Sequence, residues 1–223
     1  MKLPERDIHC HLLPGVDDGF RKAEESLAAI RQLSASGVRE IVFTPHLNPD
    51  IYKDSDETFV TARYNEFMST FPDDIDVKIS LAAEYMVVKD FEERASDPSL
   101  LKFEDGSILI EMSYYYPSPN LEQTIFELNI NGLKPILAHP ERYLYMADHL
   151  DDFVRYSDMG CRMQLNLMSL TGAYGRHSVR IAKFLLDKGL YSFVATDLHS
   201  LSQLNLIQDS NPVRKLRKRM FEY

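Results

Sequence analysis

The sequence predicts a parallel α/β fold, either a closed (β/α)7 barrel or an open doubly wound sheet. Seven short apolar runs recur along the 223 residues, and segments with helical apolar spacing lie between them. Glycines close most of those helical segments. Nearly continuous apolar runs suit strands buried on both faces. Their alternation with helices favours parallel pairing.

The first strand is Asp7–His11, in DIHCH. The helix Ala23–Ser36 follows, with Leu27, Ile30 and Leu33 on one face and Gly37 as its stop. Glu40–Thr44 is the second strand, Ser55–Phe71 the next helix and Val77–Ala83 the third strand. Ile108–Met112 is the fourth strand, followed by the helix Leu121–Asn131, which ends at Gly132. Pro135–Ala138 leads to the helix Asp148–Met159, which ends at Gly160. Met163–Leu167 leads to the helix Ser178–Lys188, which ends at Gly189, and Ser192–Ala195 is the last strand. The tail VRKLRKRM reads as a solvated final helix bearing Arg214, Lys215, Arg217, Lys218 and Arg219. Its positive charge suits a helix C-terminus.

The length suits one domain, residues 1–223, with one sizeable core. Hydrophobic residues make up 44% and charged residues 26%, which excludes a disordered chain. A net charge of −9 disfavours a nucleic-acid partner, because phosphate backbones attract basic surfaces. Cys10 and Cys161 alone make neither a disulfide framework nor a metal knuckle. No secretory leader and no membrane-length apolar run is present, so the expected location is the cytoplasm.

Chelating residues fall at strand ends. His9 and His11 end the first strand, and an i, i+2 pair in a strand shares a face, with Cys10 turned away. His46 follows the second strand in TPH, Glu84 the third in AAEY and Glu111 the fourth in LIEM. His139 follows the fifth in AHPER, and Asp197 and His199 follow the last in ATDLH. Asp18 adds a carboxylate in VDDG. Six of seven strands thus deliver a ligand at the C-terminal end, where parallel barrels build active sites. Taken singly, each residue is better explained as a salt-bridge partner, a cap or a surface group. Together they would each need a separate buried partner, whereas shared metal ions satisfy all of them. His149 and His177 fall on helices or loops and read as structural. Nine ligands without thiolate suit manganese, iron or zinc in a multinuclear site. Two ions about 3.5–4 Å apart clamp a phosphoryl group and generate hydroxide near neutral pH.

These motifs resemble the PHP family, named for polymerase and histidinol phosphatase members, from DIHCH to ATDLH. DIHCHLLPGVDDG, TPH, HPERY and GAYG are most similar to bacterial protein-tyrosine phosphatases that accompany the tyrosine kinases of capsule and exopolysaccharide synthesis. The resemblance implies a distorted (β/α)7 barrel with a trinuclear site, often manganese-loaded. Its ligands would be His9, His11, Asp18, His46, Glu84, Glu111, His139, Asp197 and His199. Asp18 is preferred over Asp17 because the family favours the aspartate next to glycine. The implied partner is a phosphotyrosine-bearing protein, a bacterial tyrosine kinase. The family has a second arginine shortly after its D-x-H pair, but DLHSLSQLN has none. Either Arg176 supplies that charge or one phosphate contact is missing.

The expected chemistry is attack of metal-bound hydroxide on phosphorus, with Arg142 holding phosphate oxygens. Glu141 is the competing partner for Arg142. His46 or Asp197 could protonate the leaving group. No Cys-x5-Arg loop is present, which disfavours a phosphocysteine intermediate. Tyr114, Tyr115 and Tyr116, with Phe20 and Tyr52, fall on the active face and could wall an aromatic pocket. The alternatives are a small-metabolite phosphatase of the histidinol-phosphate kind, a nuclease of the same family, and a non-catalytic kinase-regulating protein. The oligomeric state is open.

Overall fold

The computed structural model describes residues 3–48, 50–52 and 54–220, with backbone only for 217–220. The side chains of Arg217, Lys218 and Arg219 therefore lie outside the described residues. The strands are β1 Arg6–Cys10, β2 Glu40–Phe43, β3 His46–Leu47, β4 Lys78–Leu81, β5 Glu84–Met86, β6 Ser107–Glu111, β7 Lys134–Ala138, β8 Arg162–Asn166 and β9 Tyr191–Ala195. Every paired neighbour is parallel.

Nine strands make seven staves. The expected second stave breaks into β2 and β3 around Pro45, which has no N–H to give the ladder. The third breaks into β4 and β5 around Ala82 and Ala83. Hydrogen bonds from Ala82 N to Phe43 O and from Glu84 N to Pro45 O carry the pairing across both gaps. One run of pairing joins β1, β2 and β4, and the other runs β3-β5-β6-β7-β8-β9. The ring closes between β9 and β1, where Asp197 N donates to His9 O, His11 N donates to Leu198 O, and Cys10 bridges Leu198. The fold is thus a distorted seven-stave barrel and not an open sheet.

Alternation along the staves sorts the core. Val42, Ala82, Leu109, Ile136, Ala138 and Ala195 form a small cluster with Phe103. Ile41, Phe43, Ile108, Ile110, Leu137 and Val194 belong to the larger cluster shared with the helices. Leu109 and Glu111 share a face, as do Ala82 and Glu84, so the acids sit one step above the inner apolar layer.

The helices are α1 Ala23–Ala35, α2 Glu57–Ser69, α3 Leu121–Ile130, α4 Asp151–Asp158, α5 Gly175–Asp187, α6 Leu201–Asp209 and α7 Asn211–Met220. The second helix begins two residues later than its sequence pattern suggests because Asp56 caps it, accepting from Phe59 N at 2.7 Å. The helix α6 has no counterpart among the helices expected from the sequence pattern. Ser200 and Gln203 form a capping pair at its start. Between β5 and β6 the connection contains only a 3-10 turn, Phe91–Ser96, and no α-helix. No helix among the described residues is long and apolar enough to cross a membrane.

Candidate metal centre

The residues at the strand ends converge. His9 Nε2 lies 3.2 Å from His11 Nε2. Glu84 Oε2 lies 3.1 Å from His9 Nε2, 3.3 Å from His11 Nε2 and 3.1 Å from His46 Nδ1, and Glu84 Oε1 lies 2.9 Å from His139 Nε2. Glu111 Oε1 lies 3.0 Å from His46 Nδ1. Asp197 Oδ1 faces His9 and His11, each at 3.3 Å. Asp18 Oδ1 faces His46 Nε2 at 3.5 Å and His199 Nε2 at 3.6 Å. These side chains fall into three groups able to hold an ion: His11, Asp18, His46 and His199; His9, Glu84, His139 and Asp197; and His46, Glu84 and Glu111. Their union is the nine residues that the sequence singled out. His149 and His177 are exposed and outside the groups, so neither is a buried structural histidine.

A surrounding layer orients the imidazoles. His9 Nδ1 donates to Gln164 Oε1 at 2.9 Å, His11 Nδ1 to Asp17 Oδ2 at 2.8 Å, and His199 Nδ1 to the Asp197 carbonyl at 2.9 Å. Each Nδ1 bond leaves the Nε2 lone pair aimed at the cluster, the tautomer a metal needs. Asp17 also accepts from Gly19 N and His46 N, so it supports the site from behind while its neighbour Asp18 faces in. Gly19 is required for that approach. A Cβ there would collide with the His11 carbonyl oxygen and lie 2.6 Å from His11 Cβ.

The stave with no chelating residue, β8, contributes Gln164 and Asn166, whose Nδ2 donates to Asp197 Oδ2 at 2.6 Å. Gln203 of α6 accepts from His199 N at 2.7 Å. Sequence reasoning missed all three. Period-two alternation from Gln164 to Asn166 was the available signal for the first two.

Electrostatics tie the cluster together. Burial would push Glu84 up, but His9 and His46 hold it well below the carboxylate range. Burial would push His46 down, yet Glu111 and Glu84 raise it to about 9. Even so, Glu84 Oε2, Glu111 Oε2, His139 Nδ1 and Asp197 Oδ1 are buried without a hydrogen-bond partner. Buried anionic oxygens without donors are costly, and divalent cations satisfy them. His139 and Asp197 also hold left-handed backbone at φ 33° and 50°. Such strain in non-glycine residues collects at functional sites. The donor set therefore fits divalent metal ions.

Arg142 lies beside the cluster, its Nη1 3.0 Å from Asp197 Oδ2. Its guanidinium stacks between the rings of Tyr114 and Tyr174, at 4.2 and 4.3 Å. Tyr174 was not foreseen, although it lies in GAYG. Glu141 is not the partner of Arg142. It accepts from Asn166 N, Ser169 Oγ and Tyr191 Oη, fastening the loop after β7 to the barrel. Arg176 is exposed in the first turn of α5, with no ion pair to the cluster among the described residues. Tyr52 stacks on His46, with ring planes at 11°. Phe20 is buried in the core and, apart from the tyrosines, lines a separate hollow that reaches His199.

A family model described as capsular polysaccharide synthesis, CpsB/CapC, matches residues 6–217. The tyrosine-protein phosphatase YwqE of Bacillus subtilis is 28% identical over 200 residues, covering 89% of this chain and 79% of its own. The tyrosine-protein phosphatase CpsB of Streptococcus pneumoniae is 27% identical over 203 residues, covering 87% and 83%. Among solved structures, one from the work on YwqE and CpsB, described as unique metal-dependent tyrosine phosphatases, superposes with a TM-score of 0.80. It is 26% identical and covers 97% of this chain and 87% of its own. A phosphotriesterase homology protein from Escherichia coli shares the fold alone, at a TM-score of 0.55 and 14% identity.

Proposed function

The chain belongs to the capsular polysaccharide synthesis CpsB/CapC family, and from that membership we propose that it is a metal-dependent protein-tyrosine phosphatase. One observation carries the proposal at the level of chemistry. Nine side chains form three ion-sized groups, with buried oxygens left unpartnered, beside a guanidinium clamped in place. That is the equipment of a site for an anionic phosphate ester. Manganese, as two or three ions, is the cofactor we propose. The imidazole and carboxylate donor set without thiolate supports it. The substrate we propose is a tyrosine-phosphorylated kinase of capsule synthesis in the cytoplasm, and we read residues 1–223 as one catalytic domain.

The ligands we propose are His9, His11, Asp18, His46, Glu84, Glu111, His139, Asp197 and His199. Bound divalent ions would supply a hydroxide nucleophile near neutral pH and offset phosphate charge. The chain's own residues do the rest. Arg142 holds two phosphate oxygens, and Tyr114 and Tyr174 keep its plane fixed, so little order has to be created on binding. Asp197 anchors Arg142 and accepts from Asn166, so it is spoken for as an acceptor and makes a poor proton donor. His46, a proposed ligand whose two ring nitrogens both face cluster carboxylates, is no better placed to give a proton. A phenolate leaving group needs little protonation in any case.

The test is elemental analysis of the purified chain with p-nitrophenyl phosphate turnover before and after chelation. Two or three ions per chain, and turnover that chelation removes and manganese restores, are expected. Phosphotyrosine peptides should then exceed sugar and amino-alcohol phosphates in kcat/KM. A chain that binds no metal and shows no metal-restored turnover would sink the proposal.

A further inference from the structure

Beside the cluster lies a hollow of about 540 Å3 that starts at Asp18, His46 and Glu111 and opens outward past Tyr52 and Tyr114. Its rim carries Ile51, Tyr115 and Tyr116, which are 67%, 89% and 64% exposed. Large apolar side chains left in water together at the mouth of a site mark a contact surface. Building on the phosphatase reading above, we infer that this hollow receives the phosphorylated tyrosine ring together with an adjacent apolar side chain of the same polypeptide.

Continuity gives the first argument. The hollow and the cluster share Asp18, His46 and Glu111, so a phosphate held at the cluster sends its ester oxygen and ring into the hollow. The walls give the second. Tyr52 is fixed by stacking on His46, and Tyr114 by stacking on Arg142, with its hydroxyl 3.4 Å from His139 Nε2. Both rings are thus held by the cluster itself, and aromatic walls favour an aromatic guest.

Size and charge extend the argument to the neighbour. A volume in the range of about 300–1,000 Å3 takes a whole small ligand, so one ring leaves space unfilled. Away from the cluster the hollow carries Asp50 and Lys89, and Lys89 Nζ already faces Asp90 at 3.7 Å. Among the described residues that balance offers no net cation to an acidic neighbour, whereas Ile51, Tyr115 and Tyr116 offer an apolar one a dry seat. A second hollow of about 500 Å3 joins His199 to Arg21, Lys22 and Glu25, with Glu25 4.0 Å from Lys22, so Arg21 leaves it net positive among the described residues. Acidic neighbours would go there if the polypeptide ran the other way.

The test uses the manganese-loaded full chain and peptides carrying a non-hydrolysable difluoromethylphosphonate analogue of phosphotyrosine, flanked by leucine, glycine or glutamate. Binding is read by calorimetry. The leucine-flanked peptide should bind about tenfold tighter than the glycine-flanked one, as expected for burial of one aliphatic side chain. The triple variant Ile51→Ser, Tyr115→Ser, Tyr116→Ser should lose that preference while keeping the wild-type metal content by elemental analysis and still binding the glycine-flanked peptide. Equal binding of the three peptides, tightest binding of the glutamate-flanked one, or a leucine preference that survives in the variant would each overturn the inference. If the wild-type chain turns over p-nitrophenyl phosphate without any peptide preference, this inference alone fails. Without metal-restored turnover the phosphatase reading fails, and this inference with it.

Discussion

Asp17 and Asp18 are adjacent in sequence and do different work. Asp17 grips His11 Nδ1 at 2.8 Å and two backbone N–H groups, while Asp18 points an oxygen between His46 and His199. Asp17→Asn should therefore leave every ligand in place but loosen the His11 tautomer. Supporting groups of this kind cost about 10–100-fold in metal affinity or activity when removed. Excess manganese should restore most of the activity of Asp17→Asn. Asp18→Asn deletes a donor from one of the three ion-sized groups, so it should bind fewer ions by elemental analysis, and excess manganese should restore little. Identical metal titrations for the two variants would show that the division of labour is wrong. The proposed ligands were legible in sequence because imidazoles and carboxylates recur at strand ends, where few other roles explain them. Gln164, Asn166 and Tyr174 were not, because a neutral amide or a phenol carries no chelating signature and acts only through the partner it touches.

At the scale of elements, the helix α6 shows how local chemistry holds the site from outside the barrel. Ser200 accepts from Gln203 N, and Gln203 Oε1 accepts from His199 N. One cap therefore starts the helix and fixes the backbone of a proposed ligand. Ser200→Ala should cost about 1 kcal/mol, the usual worth of a serine cap. That corresponds to a melting temperature lower by about 2–4 °C in a chain of this length. Gln203→Ala should cost a similar amount and also weaken metal uptake, because it frees the His199 N–H. Equal metal affinity in Gln203→Ala and wild type, measured by titration, would place the cap outside the site. The S-x-x-Q pattern is visible in DLHSLSQLN, but that Gln203 turns back to the His199 N–H is visible only in the fold. The split of the second and third staves was hidden for another reason. The ladder continues across Pro45 and across Ala82 and Ala83 through bonds between these two staves, a pairing of distant segments that no local pattern reveals.

Across the whole molecule, closure is what makes the site, and closure depends on contacts that local pattern does not contain. His9 and Asp197 are joined by a backbone bond although nearly the entire chain separates them. Proposed ligands from six staves then meet at one end of the ring, so bound ions would act as cross-links between distant segments. Anything that binds the folded chain and not the unfolded one stabilises it, by about 2.7 kcal/mol for one site at a hundredfold excess over Kd. For a chain of this length that is a rise in melting temperature of about 5–11 °C per independent ion. Manganese should therefore raise the melting temperature of the chelator-treated protein well beyond one such step if several ions bind. Glu84 belongs to two of the three groups, so Glu84→Gln weakens two ion positions at once. Its manganese-induced rise should be smaller than that of Asp18→Asn, whose residue belongs to one group. A Glu84→Gln chain that gains as much thermal stability from manganese as the wild type would mean that the ions bind elsewhere, and that the acids converging at the end of the barrel are held together by their histidines alone.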